Sequence, residues 1–531
     1  MFSTRNGCTG EATVKNEKCS LKDTTDWQKL KFITLWVFAF GLLAHGYCYF
    51  NANFSHDSLY SIYEHSPATM ISSGRYLRPV YRLLRGNFTL PVINGFLFLC
   101  FLSISVYLLT DILNIQKKRL VALTCGLLTA NSSFALMNAT YLHDADAYGL
   151  ALLLALAGVW VSLRLCHGYR YAVLFYFASL GIYQAYINAA IYVFLILALV
   201  QLLQGEGVKK VYLQTIRNLL PIAAGMILYF LGMLVTRHVS QVSGGGLYND
   251  PTAALSIHSL GDRFLACAWA LFLWCFNSAS HAPGVVIGAN LLMLALTALL
   301  LAAIIRRRQL PGPSLWGILG ILLLMPFGMN VVTLLSGMCH WITIFACYLS
   351  YLCVPVLLEL YGEDLPISKL TCYSRKAWAV LAAVLIFDSC LYSNEVYLKK
   401  ELENAATLST FTRIVDRMEQ TEGFIPEQTE VAFVGLLFNS PLSVKREGFD
   451  HTSTSLWHNF NTTYFETYEV YLNYYLGYPA HCADLNKVQK FEKMEQVIAM
   501  PSFPAAGSVQ MVEDVLVVKL SDIPLNNPSD D

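Results

Sequence analysis

The sequence predicts a polytopic α-helical membrane protein, with about eleven transmembrane helices followed by a small C-terminal α/β extracytoplasmic domain. Three observations predict it. Of the 531 residues, 55% are hydrophobic and only 14% charged, a balance that sets aside soluble globular folds. Apolar windows of about twenty residues, enough to cross a hydrocarbon core of about 30 Å, recur as far as residue 393. After Tyr392 the pattern changes to the short amphipathic and β-rich runs of a soluble unit. The formal net charge of zero and the lack of an extended basic tract speak against a nucleic-acid partner. Most of the 14 cysteines sit singly in apolar segments with no C-x-x-C pair, so they read as packing residues, not as a zinc site or disulfide framework.

Residues 1–31 are polar and hold no short apolar stretch ending in a small-residue cleavage site, which makes them a cytoplasmic segment before a retained first span. The transmembrane domain, residues 32–393, has spans near 32–50, 92–112, 120–139, 145–165, 170–187, 188–204, 214–236, 284–304, 314–334, 341–361 and 376–393. The basic clusters at 117–119 and 306–308, with those in "RLCHGYR", "GEGVKK" and "YSRK", fall on one side, which the positive-inside rule makes the cytoplasm. An odd number of spans then puts the C-terminus across the membrane and leaves residues 51–90 and 237–283 as outer loops. Counting "FLACAWALFLWCFNSAS" as a span would export Arg306, Arg307 and Arg308, so residues 264–280 read as an interfacial or re-entrant helix. The apolar run 171–204 is too long for one span, and "YQAYIN" supplies the polar break for a tight outer turn. In the C-terminal domain, residues 394–531, Leu408, Phe411, Ile414, Val415 and Met418 share one helix face, and "VAFVGLLF" and "DVLVVKL" read as buried strands. The glycines of "SGGGLYND" lack a strand before and a helix after, so they form a loop and no nucleotide cradle.

Positive charge is ordinarily sparse on the outer face, yet the first outer loop holds Arg75, Arg78, Arg82 and Arg85 at three- and four-residue spacing. On a helix they form one stripe above the lipid headgroups, suited to a lipid-linked phosphate through bidentate guanidinium contacts. The plainer alternative is an amphipathic helix snorkelling onto anionic headgroups. Asp57 and Glu64 precede the stripe, and Asp144 and Asp146 lie at the same face. A carboxylate there can take the proton of an acceptor hydroxyl while arginines offset charge on a departing phosphate, as glycosyl transfer from a lipid phosphate requires. Asp144 and Asp146 could instead be solvated caps of the fourth span. Tyr183, Gln184, Asn330, His340 and Trp341 fall near outer span ends, where they could hold a sugar or simply form an aromatic belt. Asp388 is a rare residue type for a span but lies near its outer end.

The acidic first loop with "SSGRYLRP", then "YLHDADAYGLAL", "SLGIYQAYINAAI", "MPFGMNVVTLLSG", "SNEVYLKKELENAATLSTFTRI" and "MPSFPAAGSVQMVEDVLVVKLS", resemble in order and spacing the GtrII-type serotype-converting glucosyltransferases of bacterial O-antigen. The resemblance runs from about residue 30 to residue 522. It implies a GT-C-like inner-membrane glycosyltransferase that moves glucose from undecaprenyl-phosphate-glucose to an O-antigen sugar of lipopolysaccharide on the periplasmic face. Asp57 falls on the acid that the family places in its first periplasmic loop, and Arg75 on the arginine of its "GR" pair. His56 stands where the resemblance leads one to expect a second adjacent acid, which counts against a two-carboxylate or metal-assisted site there; a divalent cation, Mg²⁺ or Mn²⁺, is the one candidate cofactor. In the single displacement this implies, Asp57 is the base with Glu64 beside it, Arg75, Arg78 and Arg82 bind the donor phosphate, and Asp144 and Asp146 orient sugar or acceptor. Tyr183, Gln184, Asn330 and His340 join them as sugar or acceptor contacts. The competing classes are a flippase or transporter of lipid-linked sugar, an O-antigen polymerase or ligase, and a membrane-anchored binding module.

Overall fold

The structure is a computed structural model that describes residues 26–51, 53–55, 58, 67–243, 259–276, 279–362, 369–435 and 468–522. Asp57, Glu64 and residues 244–258 of the second predicted outer loop lie outside the described residues.

Helix α1 (Trp27–Phe50) starts where Asp26 accepts from the backbone N–H groups of Gln28 and Lys29, donors that a helix start leaves without partners. Two short helices follow, α2 (Ala68–Ser72) and α3 (Arg78–Arg85), and then the long α4 (Pro91–Ile112). Helices α5 (Lys118–Thr129) and α6 (Ser132–Tyr141) are separated at Ala130 and Asn131, and Asn131 caps α6 by accepting from Phe134 N at 3.0 Å. After the tight turn Leu142–Asp144 come α7 (Ala145–Arg164), α8 (Gly168–Ile182), α9 (Ile187–Leu203) and α10 (Val208–Ser240). The bundle continues with α11 (Leu260–Cys275), α12 (Pro283–Arg308), α13 (Gly312–Gly328), α14 (Val331–Ser336), α15 (Phe345–Tyr348) and α16 (Cys353–Gly362), and closes with α17 (Lys369–Glu419).

Among the described residues, seven helical stretches are long and apolar enough to cross a membrane, as expected of a polytopic helical membrane protein. The other four predicted spans fall on shorter helices: α5, the 15-residue α8, the 17-residue α13 and the stretch Phe345–Tyr361. Two polar contacts set the direction of α7. Asn94 near the start of α4 meets Asp146 near the start of α7, and Asp111 near the end of α4 meets Arg164 at the end of α7. These two helices therefore run the same way, and α5 with α6 makes the return pass, so the bend at Tyr141–Asp144 sits at one end of the bundle. Helix α9 is apolar all round, and 94% of its membrane window is buried, as a central helix requires. Helix α11 has 16 residues and opens on a capping box in which Ser259 and Asp262 satisfy each other's backbone N–H.

The predicted domain boundary at residues 393–394 falls inside α17, an unbroken helix of 51 residues and so about 76 Å long. Its last turns hold Phe411, Ile414 and Met418 against a four-stranded sheet of order β2-β1-β4-β3. The central strands β1 (Glu430–Val434) and β4 (Val515–Lys519) pair in parallel, β2 (His481–Cys482) extends the parallel edge, and β3 (Val509–Val512) pairs antiparallel with β4. Both central strands are β-rich apolar runs, buried on both faces as a parallel pair requires. Two short helices, α18 (Leu485–Glu492) and α19 (Glu495–Ala499), pack Val488, Phe491 and Val497 against the face opposite α17. Leu408, expected on the same helix face, is 50% exposed, because the buried face of this stretch runs through Glu403, Thr407, Phe411, Ile414 and Met418 and leaves Leu408 to one side.

Candidate functional site

The loop that the sequence singles out for its arginines is clamped to the bundle by its own backbone. Gly74 closes the end of α2 at φ +73, a conformation that costs side chains with a Cβ, and a Cβ there would stand 2.4 Å from the Tyr229 hydroxyl. The Gln184 amide donates to Ser73 O at 3.2 Å and to the Tyr229 hydroxyl at 2.8 Å. Arg237 of α10 donates to Ser72 O, and the Tyr76 hydroxyl to Tyr229 O at 3.0 Å. The turn so held delivers Arg75, whose guanidinium carbon lies 5.1 Å from the centre of the Tyr183 ring, within cation–π range. Gln184, expected at a sugar, is thus engaged with the turn that positions Arg75.

Helix α3 corrects the arginine stripe. The sequence places four arginines over lipid headgroups, but the helix turns its charged face into the protein. Arg78 and Arg82 are 5% and 4% exposed, while Val80, Leu83 and Leu84 on the opposite face are 55%, 82% and 88% exposed. Arg75 precedes the helix and is not part of the stripe. The inward turn has a direct cause: Asp144 and Asp146, 1% and 0% exposed, lie beneath, and buried carboxylates need cationic partners. Both Arg78 and Arg82 donate to Asp144, the latter at 3.0 Å, and His143 Nε2 lies 3.1 Å from the same carboxylate. Arg85 Nε is 3.1 Å from Asp146, which also accepts from the Tyr81 hydroxyl at 2.8 Å and the Asn94 amide at 3.4 Å. Burial, and then the Asp146 carboxylate, push the Tyr81 phenol above its ordinary pKa, so it stays protonated as the donor. The two aspartates are therefore ion-paired centres inside the bundle and not solvated caps, and Asp144 makes no side-chain cap to α7. Both were expected to orient sugar or acceptor, and both carboxylates are held here by arginines.

The bend that places these acids is itself braced. Tyr141 leaves helical geometry at φ −124 and ψ 37, which turns the chain into Leu142–Asp144. The carbonyls freed there are satisfied in trans: Asn94 donates to Leu142 O and His143 O at 3.2 and 2.9 Å, and Arg85 donates to His143 O at 2.8 Å. Below lies an aromatic row. Tyr148 packs on Tyr183 with ring centroids 4.2 Å apart, Tyr183 on Tyr186 at 5.5 Å, and Tyr186 on Phe345 at 5.9 Å. The Arg78 guanidinium sits 6.0 Å from the Tyr148 ring centre. Tyr148 is 1% exposed, and among the described residues its hydroxyl has no hydrogen-bond partner, which is costly for a buried donor unless something else supplies one.

Sequence reasoning missed Tyr81, Asn94, His143 and Tyr148. Two signals were available: Tyr148 lies four residues after Asp144, and Tyr81 three after Arg78, so each shares a helix face with a flagged charge. Other flagged residues stand apart from the arginine cluster. Asn330 is buried at the end of α13, where its amide donates to Pro326 O at 3.0 Å. His340 is exposed and opens the turn Trp341–Thr343, and that turn packs on α6. Asp388 accepts from His281 N and Ala282 N at 3.2 and 2.7 Å and so caps the start of α12. Asp57 and Glu64, expected as base and neighbour, lie outside the described residues. Among the described residues no three His, Cys, Asp or Glu side chains converge as a metal-binding group. The model of a protein family described as glucosyl transferase GtrII matches residues 46–361. No curated protein and no solved structure matches the chain.

Proposed function

The chain belongs to the glucosyl transferase GtrII family, and on that premise we propose that it transfers glucose from undecaprenyl-phosphate-glucose to a sugar of lipopolysaccharide O-antigen at the periplasmic face of the bacterial inner membrane. The observation that carries this reading is the buried cluster of Arg78, Arg82, Arg85, Asp144 and Asp146 at one end of the bundle, with Arg75 held beside it over Tyr183. Among the described residues, Arg78, Arg82 and Arg85 are held on Asp144 and Asp146, and guanidinium groups fixed in this way offer bidentate donors suited to a phosphodiester. Arg308 donates to Leu203 O at the end of α9, and Gln184, just before the start of α9, bonds the turn beside Arg75, so Arg306, Arg307 and Arg308 lie at the other end of the bundle. The positive-inside rule assigns them to the cytoplasm, and in this reading the cluster faces the periplasm.

In this reading the acceptor hydroxyl loses its proton to Asp57 and its oxygen attacks the anomeric carbon of the donor. The bond from that carbon to the phosphate oxygen breaks, undecaprenyl phosphate leaves, and the linkage inverts. Arg75 contacts the departing phosphate. Arg78 and Arg82, fixed by Asp144, supply positive potential without reorganising during the reaction. Glu64 assists Asp57, the Tyr148 hydroxyl and the Tyr183 ring border the sugar, and the sheet at the end of α17 engages the long acceptor chain.

The test compares glucose transfer from synthetic polyprenyl-phosphate-glucose to purified lipopolysaccharide by the wild type, Asp57→Asn and Arg75→Ala at equal expression. Transfer by the wild type, abolished in Asp57→Asn and reduced in Arg75→Ala, is the expected result. A wild type that transfers nothing while donor lipid crosses the bilayer would make this a transporter.

A further inference from the structure

The last four carbonyls of an α-helix have no partner within it, and α6 ends directly before the turn that carries His143 and Asp144. Three consecutive carbonyls at that end are capped from three different parts of the chain. Asn138 O accepts from the Cys48 thiol of α1 at 3.5 Å, Thr140 O from the Ser55 hydroxyl at 2.6 Å, and Ala139 O, between them, from the Lys400 ammonium of α17. Of the three caps only Lys400 is charged, and a cation at a helix C-terminus meets the negative end of the helix dipole.

Lys400 is 1% exposed and does not act alone. Lys399 and Glu403, 5% and 0% exposed, lie 3.5 Å apart on the same stretch of α17. The Tyr47 hydroxyl of α1 donates to Glu401, and the Asn404 amide to Asn53 at 3.3 Å. Burying ammonium and carboxylate groups is costly unless their geometry is well satisfied, so this length of helix is built to sit against α1, α6 and the segment after α1. From Ala139 to Asp144 is on the order of 8 Å along a helix. A shift of the end of α6 therefore moves Asp144, and with it Arg78 and Arg82.

We infer that Lys400 is a positioning residue for the transfer reaction: by capping Ala139 O it holds the end of α6 where Asp144 can fix Arg78 and Arg82. The inference rests on the glucosyl transfer proposed above. It gives the part of α17 beyond residue 393, which lies past the matched stretch 46–361, a role at the site in addition to carrying the sheet.

The test measures kcat and KM of full-length enzyme in detergent for wild type, Lys400→Met, Lys400→Gln, Lys400→Arg and, as an exposed control at the start of α10, Lys209→Met. Misplacing a fixed charge by about 1 Å lowers kcat by roughly 10²-fold, so Lys400→Met should lose about that much with the donor KM within about threefold. Lys400→Arg, which keeps a cationic donor, should recover most of the loss, and Lys209→Met should match wild type. If Lys400→Met does not accumulate, Lys400→Gln is read in the same way. An active wild type with Lys400→Met within about threefold of it in kcat, or with Lys400→Arg as slow as Lys400→Met, overturns the inference and leaves the glucosyltransferase reading standing. An inactive wild type overturns that reading instead. The inference, which rests on that reading, falls with it; with an active wild type, melting temperatures of Lys400→Met, Asp144→Asn and the double variant add a second check, in which strict additivity overturns the inference and coupling supports it.

Discussion

Replacing Asp144 by Asn keeps the shape of the side chain and removes one charge. The carboxylate is 1% exposed and is the shared acceptor of Arg78 and Arg82, themselves 5% and 4% exposed, with Arg82 at 3.0 Å. In the cluster of Arg78, Arg82, Arg85, Asp144 and Asp146 the formal charge rises from +1, three cations less two acids, to +2. An exposed ion pair is worth about 0–1 kcal/mol, but removing one partner of a buried pair costs about 3–5 kcal/mol because the other charge is stranded. Asp144→Asn should therefore lose about 3–5 kcal/mol. The double variant Asp144→Asn with Arg78→Gln should be less destabilised than the sum of the two single variants, since the second change removes one of the stranded cations. Unfolding of purified protein in detergent, followed by helix signal over a denaturant series, measures both. A loss below about 1 kcal/mol for Asp144→Asn, or additive single variants, would refute the claim that a buried charge cluster holds the first loop on the bundle.

Tyr148→Phe separates function from stability: removing a buried hydroxyl that has no partner among the described residues should leave the unfolding midpoint unchanged or higher while transfer activity falls, and unchanged activity would take Tyr148 out of the site. Gly74→Ala meets both a φ of +73 and a contact of 2.4 Å with the Tyr229 hydroxyl. It should cost more than about 1–2 kcal/mol, and adding Tyr229→Phe should recover only the part due to the contact, as read from unfolding midpoints. Phe411→Ala empties a fully buried position between α17 and the sheet and should cost about 3–5 kcal/mol, measured as earlier proteolysis of the C-terminal segment.

The membrane class and the position of nearly every long helix were legible because a span of about twenty apolar residues has no other home. The strands β1 and β4 were legible for the same reason, as short β-rich apolar runs that a sheet buries on both faces. The continuity of α17 was not: the change from apolar to amphipathic near residue 393 is a change of surroundings, from lipid and bundle to water and sheet, and the helical backbone passes through both. The arginine stripe was found but its direction was inverted. Spacing places Arg78, Arg82 and Arg85 on one face, yet whether that face meets lipid headgroups or the interior depends on where Asp144 and Asp146 lie, and those are more than fifty residues away in sequence. Lys400 was invisible for a related reason, since its partner is the backbone carbonyl of Ala139, which no pattern of side chains announces.

The most direct test of the account places purified protein in one orientation in sealed vesicles, with polyprenyl-phosphate-glucose in the bilayer and lipopolysaccharide oligosaccharide supplied to one side at a time. Transfer should occur when the acceptor is on the side of Arg75 and Asp144 and not when it is on the side of Arg306, Arg307 and Arg308. Transfer from the side of Arg306 would contradict the account, because the arginine and aspartate cluster would then lie at the wrong end of the bundle.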